Sequence, residues 1–255
     1  ETDLVTIEDA ILHRKLVNAS ITLVKNEFDL VPIADVAQKI AYVKLGDAPN
    51  DEFVSTLKKY TRVDVVSGTS IAQLNAKLQA YDLVIVGFHK SNDNPWKSYK
   101  FSDTDLETLK SIARNNKVIL DVFASPYALL QIKSFTDIEA VVVSYQNSNI
   151  AQNISGQILF GALQASGKLP VSIHDDFAMG QGIYTKNLQR LSYGLPEEVG
   201  MSSLKLARLD SIANAVLEEK MAPGMQLLVA RHGKVIFQKS YGFYTDKNTE
   251  KVNNN

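Results

Sequence analysis

The 255 residues contain no cysteine, so disulfides, thiol nucleophiles and thiolate metal sites are excluded. That absence does not fix a compartment, because many exported proteins also lack disulfides. No apolar run approaches the roughly 18 residues that a membrane-crossing helix needs. Net charge is −1, which provides no broad electrostatic attraction to nucleic acid or to an anionic membrane. There is no Gly-x-Gly-x-x-Gly or Walker loop, so nucleotide binding has no motif behind it. Histidines number four and tryptophan one, which keeps the list of catalytic or ring-stacking candidates short. Glu1 rather than methionine opens the chain, and no signal peptide follows, as in a processed protein or an excised piece.

What is present is the texture of an α/β protein. Residues 7–24 have helical spacing, with Ile7, Ile11, Leu12, Leu16 and Ala19 set for one buried face. Apolar strands follow at 40–45, 63–66, 83–87, 118–123 and 140–144, separated by helical stretches near 51–60, 70–79 and from Ser102 onward. Uninterrupted runs such as Leu83-Val-Ile-Val-Gly87 suit strands buried on both faces. Alternation at this spacing predicts an open, mainly parallel sheet flanked by helices. Another helix carries Ile150, Ile154, Ile158 and Ala162 as a stripe, with Ser148 or Asn149 to cap it. Gly167 is expected to end it, and Pro170 to begin a last extended run on a sheet edge.

After Ile173 the texture changes. Residues 174–200 gather Gly180, Gly182, Gly194 and Pro196 and read as a linker. From 201 a helix capped by Ser202 or Ser203, with Leu206, Leu209, Ala213 and Val216 on one face, leads into a hairpin turning at Arg231-His-Gly-Lys234. One helix and one hairpin, an incomplete α+β segment, make a small core for independent folding.

Candidate chemistry is sparse. Ser-x-x-Lys, the nucleophile motif of penicillin-recognising hydrolases, occurs at Ser55–Lys58 and again at Ser202–Lys205. Ser55 is better explained as an exposed helical residue and Ser202 as a helix cap. His174-Asp175-Asp176 lacks a third convergent ligand, and neighbours in extended chain point apart, so no metal site is expected. His232 suits a turn and His13 an exposed helix. The loop at 88–99 is the strongest candidate, because ligands gather at the carboxyl ends of strands in open α/β sheets. In it His89 and Asp93 are candidates for acid or orienter, Asn92 for a polar contact, and Trp96 for stacking on a sugar ring. A solvated loop with Trp96 packed on its base is the plainer alternative. No cofactor is implied.

Several ordered blocks together resemble a known family. Ser20-Ile-Thr-Leu-Val-Lys-Asn-Glu27 with Leu30-Val-Pro-Ile33, Ser125-Pro-Tyr-Ala-Leu129, Ala140-Val-Val-Val-Ser-Tyr-Gln-Asn147, Gly161-Ala162 and Ser166-Gly-Lys-Leu-Pro-Val-Ser-Ile173 resemble the C-terminal α/β sandwich domain of glycoside hydrolase family 3 over about residues 1–173. Pro223-Gly-Met-Gln-Leu-Leu-Val-Ala-Arg-His-Gly-Lys-Val-Ile-Phe237 with Ser240-Tyr-Gly242 resembles the opening of a serine β-lactamase-like domain, making 201–255 its truncated start. The order resembles a fusion, of the Bacteroides type, of a family 3 N-acetylglucosaminidase to such a hydrolase. The resemblance implies a retaining β-N-acetylglucosaminidase as the parent, exported to the periplasm or cell envelope. Its nucleophile would sit on an N-terminal barrel outside this chain. Glucoside-cleaving relatives often take a glutamate acid from a C-terminal-domain loop, and 88–99 has no glutamate, which favours the amino-sugar branch. The implied partners are that barrel, the remainder of the β-lactamase-like domain, and an amino-sugar substrate bound in the parent's active site. This chain then has no catalytic residue of its own. A non-catalytic carbohydrate or small-ligand module is the alternative, and a serine hydrolase using Ser202 and Lys205 the third.

Overall fold

The computed structural model describes residues 6–92, 94 and 96–253. It divides into two compact units, Arg14–Leu188, and Gln189–Asn255 together with the residues up to His13. The division falls inside the first helix, α1 (Ile7–Ser20).

The larger unit is built on a six-stranded sheet. In chain order it comprises β1 (Thr22–Asn26), β2 (Ile40–Gly46), α2 (Asp51–Lys58), β3 (Val63–Val65), α3 (Ile71–Leu78), β4 (Leu83–His89), α4 (Asp103–Asn115), β5 (Val118–Phe123), β6 (Ala140–Val143) and α5 (Asn149–Leu159). The strand order is β1-β6-β5-β4-β2-β3; β1 runs antiparallel to β6 and every other pairing is parallel. Every residue of β4 and β5 is buried, as expected of strands covered on both faces. Alternate side chains serve two cores. Val43, Val86, Leu120 and Val141 meet Leu74, Leu78, Leu109 and Ile112 of α3 and α4. Tyr42, Ile85, Ile119 and Val142 meet Phe53, Leu57, Ile154 and Ile158 of α2 and α5. The predicted mainly parallel sheet is thus present.

Helix starts follow the expected capping chemistry. Ser102 and Asp105 form a reciprocal capping box on α4, and Ser70 and Ser148 accept from Gln73 N–H and Ala151 N–H at the starts of α3 and α5. Several details differ from expectation. The helical spacing at 7–24 covers a helix that stops at Ser20 and an edge strand, β1. On α1 only Val17 is buried, while Leu12 and Leu16 are 55% and 60% exposed. Periodicity located a face, but a face needs a partner to be buried. Lastly, α5 ends at Leu159, and the left-handed residue after it is Gly161 (φ +69°), not Gly167. Gly167 serves another purpose: a Cβ there would stand 2.1 Å from the Ser20 carbonyl oxygen. No strand forms at Pro170.

Residues 174–188 belong to the sheet unit. Phe177 is buried in its core, and Ile183 N–H donates to Leu23 O beside β1.

The smaller unit holds β7 (Ser192–Tyr193), α6 (Ser203–Leu206), α7 (Arg208–Glu218), β8 (Gly224–Arg231) and β9 (Lys234–Gly242). The expected hairpin is there, turning through His232 (φ +51°) and Gly233 (φ +74°), two left-handed residues as a tight hairpin turn requires. Asp210 on α7 accepts from Lys239 Nζ and from Tyr241 Oη on β9 at 2.5–2.9 Å, tying helix to sheet.

Candidate functional site

The chain leaves β2 for β3 on one side and later returns to β4 on the other. The carboxyl ends of β2 and β4 therefore form a topological switch point, the usual ligand position in open α/β sheets. The two ends approach closely. Gly46 has φ +80°, and a Cβ on it would lie 2.2 Å from the His89 carbonyl oxygen, so only glycine fits. Ala48 N–H donates to that same oxygen at 3.2 Å, and Lys90 Nζ pairs with Asp47 at 3.1 Å across the two loops.

His89 closes β4 and is fully buried. Its ring stacks on Phe123, with centroids 4.4 Å apart and planes 10° off parallel. Both ring nitrogens are engaged: Nδ1 lies 2.7 Å from Asn147 Oδ1 and Nε2 lies 2.8 Å from Tyr42 Oη. Asn147 donates through Nδ2 to Pro49 O at 2.9 Å, so its Oδ1 must be the acceptor. The proton therefore sits on His89 Nδ1, and Nε2 accepts from the Tyr42 hydroxyl, which in turn accepts from Asn50 Nδ2 at 3.0 Å. Burial lowers the His89 pKa to about 4, and raises that of Tyr42 far above the usual phenol range. At neutral pH His89 is an uncharged orienting group for Asn147, with no proton free for a ligand. Gly87 completes the fit, since a Cβ there would meet His89 Nε2 at 2.5 Å and Tyr42 Oη at 2.7 Å.

Gln152 extends the frame. Its Nε2 donates to Pro49 O and to Asn147 Oδ1, and its Oε1 accepts from Phe53 N–H at 3.0 Å. Asn92 Oδ1 accepts the Asn147 N–H at 2.7 Å. Above this frame lies a cavity of about 310 Å³, lined by Ala48 and Pro49 after β2, Ser91 and Asn92 after β4, 146–149 after β6, and Gln152. Larger hollows of about 420 and 540 Å³ lie at the amino ends of the strands and along β1, away from the switch point.

Of the loop residues singled out from sequence, Asn92 lines the cavity and His89 lies beneath it, the two joined through Asn147. Trp96 is 90% exposed and does not line the cavity, so it is not packed on the loop's base. Asp93 lies outside the described residues. No group of three metal-ligating side chains exists among the described residues. His174 instead places Nε2 3.0 Å from Leu130 O. Ser202 Oγ accepts the Lys205 N–H at 3.3 Å, the geometry of a helix cap, and Ser55 is exposed on α2.

Sequence reasoning missed the rest of the frame, Tyr42, Asn50, Asn147 and Gln152. It also missed Asp121, fully buried in β5, whose carboxylate accepts from Ser144 Oγ at 2.7 Å and from Ser155 Oγ. Burial raises its pKa to about 7 despite those bonds. Its signal was visible: one carboxylate inside Val118-Ile-Leu-Asp-Val-Phe123. So was that of α5, whose Gln152, Asn153, Ser155 and Gln157 are polar yet buried.

The glycosyl hydrolase family 3 C-terminal domain matches residues 21–202. The chain belongs to that family. Solved structures with the same fold include a β-glucosidase from Listeria innocua in complex with isofagomine (20% identity, TM-score 0.56, covering 68% of this chain and 28% of that one). A β-glucoside phosphorylase is similar at 20% identity and TM-score 0.53, covering 66% and 32%. A fungal multi-domain family 3 β-N-acetylglucosaminidase is similar at 19% identity and TM-score 0.51, covering 66% and 20%. The chain therefore spans less than a third of each of these proteins. A comparison with curated proteins yields no match. The matched family is, by its description, a C-terminal domain of glycosyl hydrolases. No described helix is long and apolar enough to cross a membrane.

The strand-end site can bind and orient, but its described lining lacks the chemistry of hydrolysis. Retaining cleavage needs two carboxyl groups, or equivalents, flanking one bond. No carboxylate is among the described lining residues, and the one histidine beneath them is held neutral.

Proposed function

We propose that this is the accessory α/β domain of an exported, retaining β-N-acetylglucosaminidase of family 3. It works beside a catalytic barrel carried elsewhere in the parent protein. The observation that carries this reading is the neutral strand-end site, with His89 locked between Tyr42 and Asn147 and no described carboxylate around the cavity. A domain whose described residues supply no acid there suits a branch whose acid and nucleophile both reside on the barrel. Residues 201–255, with their helix and hairpin, are read as the opening of a serine β-lactamase-like domain; Ser202 is its helix cap and not its nucleophile.

The test is turnover of an aryl β-N-acetylglucosaminide. The purified chain is expected to be inactive, and the same chain joined to its barrel is expected to be active. Turnover by the isolated chain would refute the accessory role. A barrel-containing parent that cleaved aryl glucosides but not aryl N-acetylglucosaminides would refute the branch.

A further inference from the structure

The sheet of the larger unit has an edge at β3, the last strand in its order, which pairs only with β2 among the described strands. The phase of that pairing is fixed. Val66 N–H donates to Tyr42 O at 2.9 Å, so Asp64, two residues earlier, also turns its backbone toward β2. Val63 and Val65 therefore turn their N–H and C=O groups outward, where no other described strand meets them. A row of unpaired backbone groups is a template for a further strand.

Charge on an edge strand ordinarily repels such a strand. On β3 the charges are of opposite sign and two residues apart, Arg62 and Asp64, so they lie on the same face of the sheet. Asp64 is held in place, because Tyr81 Oη donates to its Oδ2 at 3.2 Å. Arg62 is different. Its Nε donates to Asp64 Oδ1 at 3.2 Å, yet the side chain is 88% exposed. A pair so exposed holds the arginine weakly, and the side chain can swing to another carboxylate at little cost. Val65, at the same edge, is 54% exposed and leaves apolar surface in water.

Two copies of one edge meet antiparallel about a two-fold axis, and one residue then faces its own image. Opposite residues must also share a face of the sheet. Centres on Arg62 or Asp64 set like charges face to face. A centre on Val65 places Arg62 opposite Gly68 and Asp64 opposite Val66, which leaves both charges without a partner across the axis. A centre on Val63 satisfies everything together. Val63 exchanges both outward backbone bonds with its image. Arg62 of each copy lies opposite Asp64 of the other, in the non-hydrogen-bonded positions where Cα atoms approach to about 4.5 Å and side chains are closest. Thr61 falls opposite the exposed Val65, a pairing of two β-branched side chains. Beside the edge a hollow of about 420 Å³, lined by Val36, Arg62, Asp64 and Tyr81 among others, gives the incoming arginine room.

We infer that β3 is a self-association edge: a second copy of this chain pairs with it antiparallel, centred on Val63, and two Arg62–Asp64 ion pairs across the axis set the register. The contact joins the two six-stranded sheets into one continuous sheet. Because β3 is only three residues long, the association is weak and reversible.

The test is sedimentation of the 255-residue chain over a range of concentrations. Dimers are expected with a dissociation constant on the order of 0.1 mM at low salt, and fewer of them at high salt. Arg62→Glu and Asp64→Arg each place like charges across the axis, and each should weaken dimerisation by about tenfold or more. An equal mixture of the two variants should dimerise again, because Glu faces Arg and Asp64 faces Arg62 at the mixed interface. The pair within one chain is absent from both variants, so its loss cannot account for recovery in the mixture. Circular dichroism checks that both remain folded, and Arg62→Glu, at the more exposed position, is the variant on which the conclusion rests if the other is not. A wild-type chain that stays monomeric up to about 1 mM, ten times the expected constant, would overturn the inference. So would dimers that Arg62→Glu leaves unweakened, or a mixture of folded variants that associates no better than either alone.

Discussion

The two units of this chain use the same elements, helices against a sheet, and achieve different degrees of burial. In Arg14–Leu188 both faces of the sheet are covered, and β4 and β5 have no exposed residue. In the unit beginning at Gln189 the buried apolar side chains among the described residues are Pro196, Ala213, Val235 and Ile236, while Leu204 is 82% and Ile212 61% exposed. A residue's sequence character therefore predicts its energetic weight only through the layer that covers it. The candidate site belongs to the first kind of environment. Tyr42, His89 and Gln152 of its frame are buried, so their polar groups must pair, and pairing makes them rigid and chemically quiet.

The largest effects should separate the units by packing. Phe53→Ala, at a fully buried ring between Tyr42 and Phe123, should destabilise the sheet unit by about 3–5 kcal/mol. Ile212→Ala should change stability by about 0.5 kcal/mol or less in chemical denaturation, because most of its side chain is already in water. Equal losses at the two positions would break the comparison.

Glycines sharpen it. Gly87→Ala forces a methyl into the Tyr42–His89 bond, which should cost about 1–3 kcal/mol and disrupt the frame. Gly233→Ala meets no atom within 4 Å, and its penalty should come only from the left-handed backbone, about 1–2 kcal/mol. Ring-current shifts of Phe123 protons, which report the His89 stack, should move in the first variant and stay fixed in the second.

Two pH effects oppose each other inside the sheet unit, so their net effect on the intact chain is the smallest. His89 has a folded pKa of about 4 against 6.5 for the free group. The unfolded chain binds the extra proton between those values, so this group adds stability as pH rises through that window and loses it as pH falls. Asp121 has a folded pKa of about 7 against 3.8. There the folded chain holds the extra proton, so stability falls as pH rises from about 4 to 7. The wild-type profile should be flattened by this opposition. Asp121→Asn should leave stability rising from pH 4 to 6.5, and His89→Gln should leave it falling. Parallel profiles for the two variants would contradict these assignments.

Much of the sheet was legible. Strands β2, β4, β5 and β6 announce themselves because covered parallel strands must be apolar throughout, and Ser70, Ser102 and Ser148 announce the helices they cap. β1 was absorbed into the preceding helical pattern. Val17, Ile21 and Val24 continue a helical spacing, and no glycine or proline separates Ser20 from Thr22. The exposed face of α1 was misjudged because sequence gives amphipathicity without naming what covers it. Of the site, His89 and Asn92 were found by their position after a strand. Tyr42 and Asn147 lie 47 and 58 residues from His89, and only the crossover at β2 and β4 brings them together. Trp96, attractive as a stacking platform, stands apart in solvent.

The central claim is that the histidine at the switch point orients and does not exchange protons with a ligand. Long-range ¹H–¹⁵N spectra of the imidazoles between pH 4.5 and 8 test it directly. The account predicts that His89 keeps its proton on Nδ1 and shows no titration above about pH 5. A His89 that titrates near pH 6.5, or carries its proton on Nε2, would contradict it.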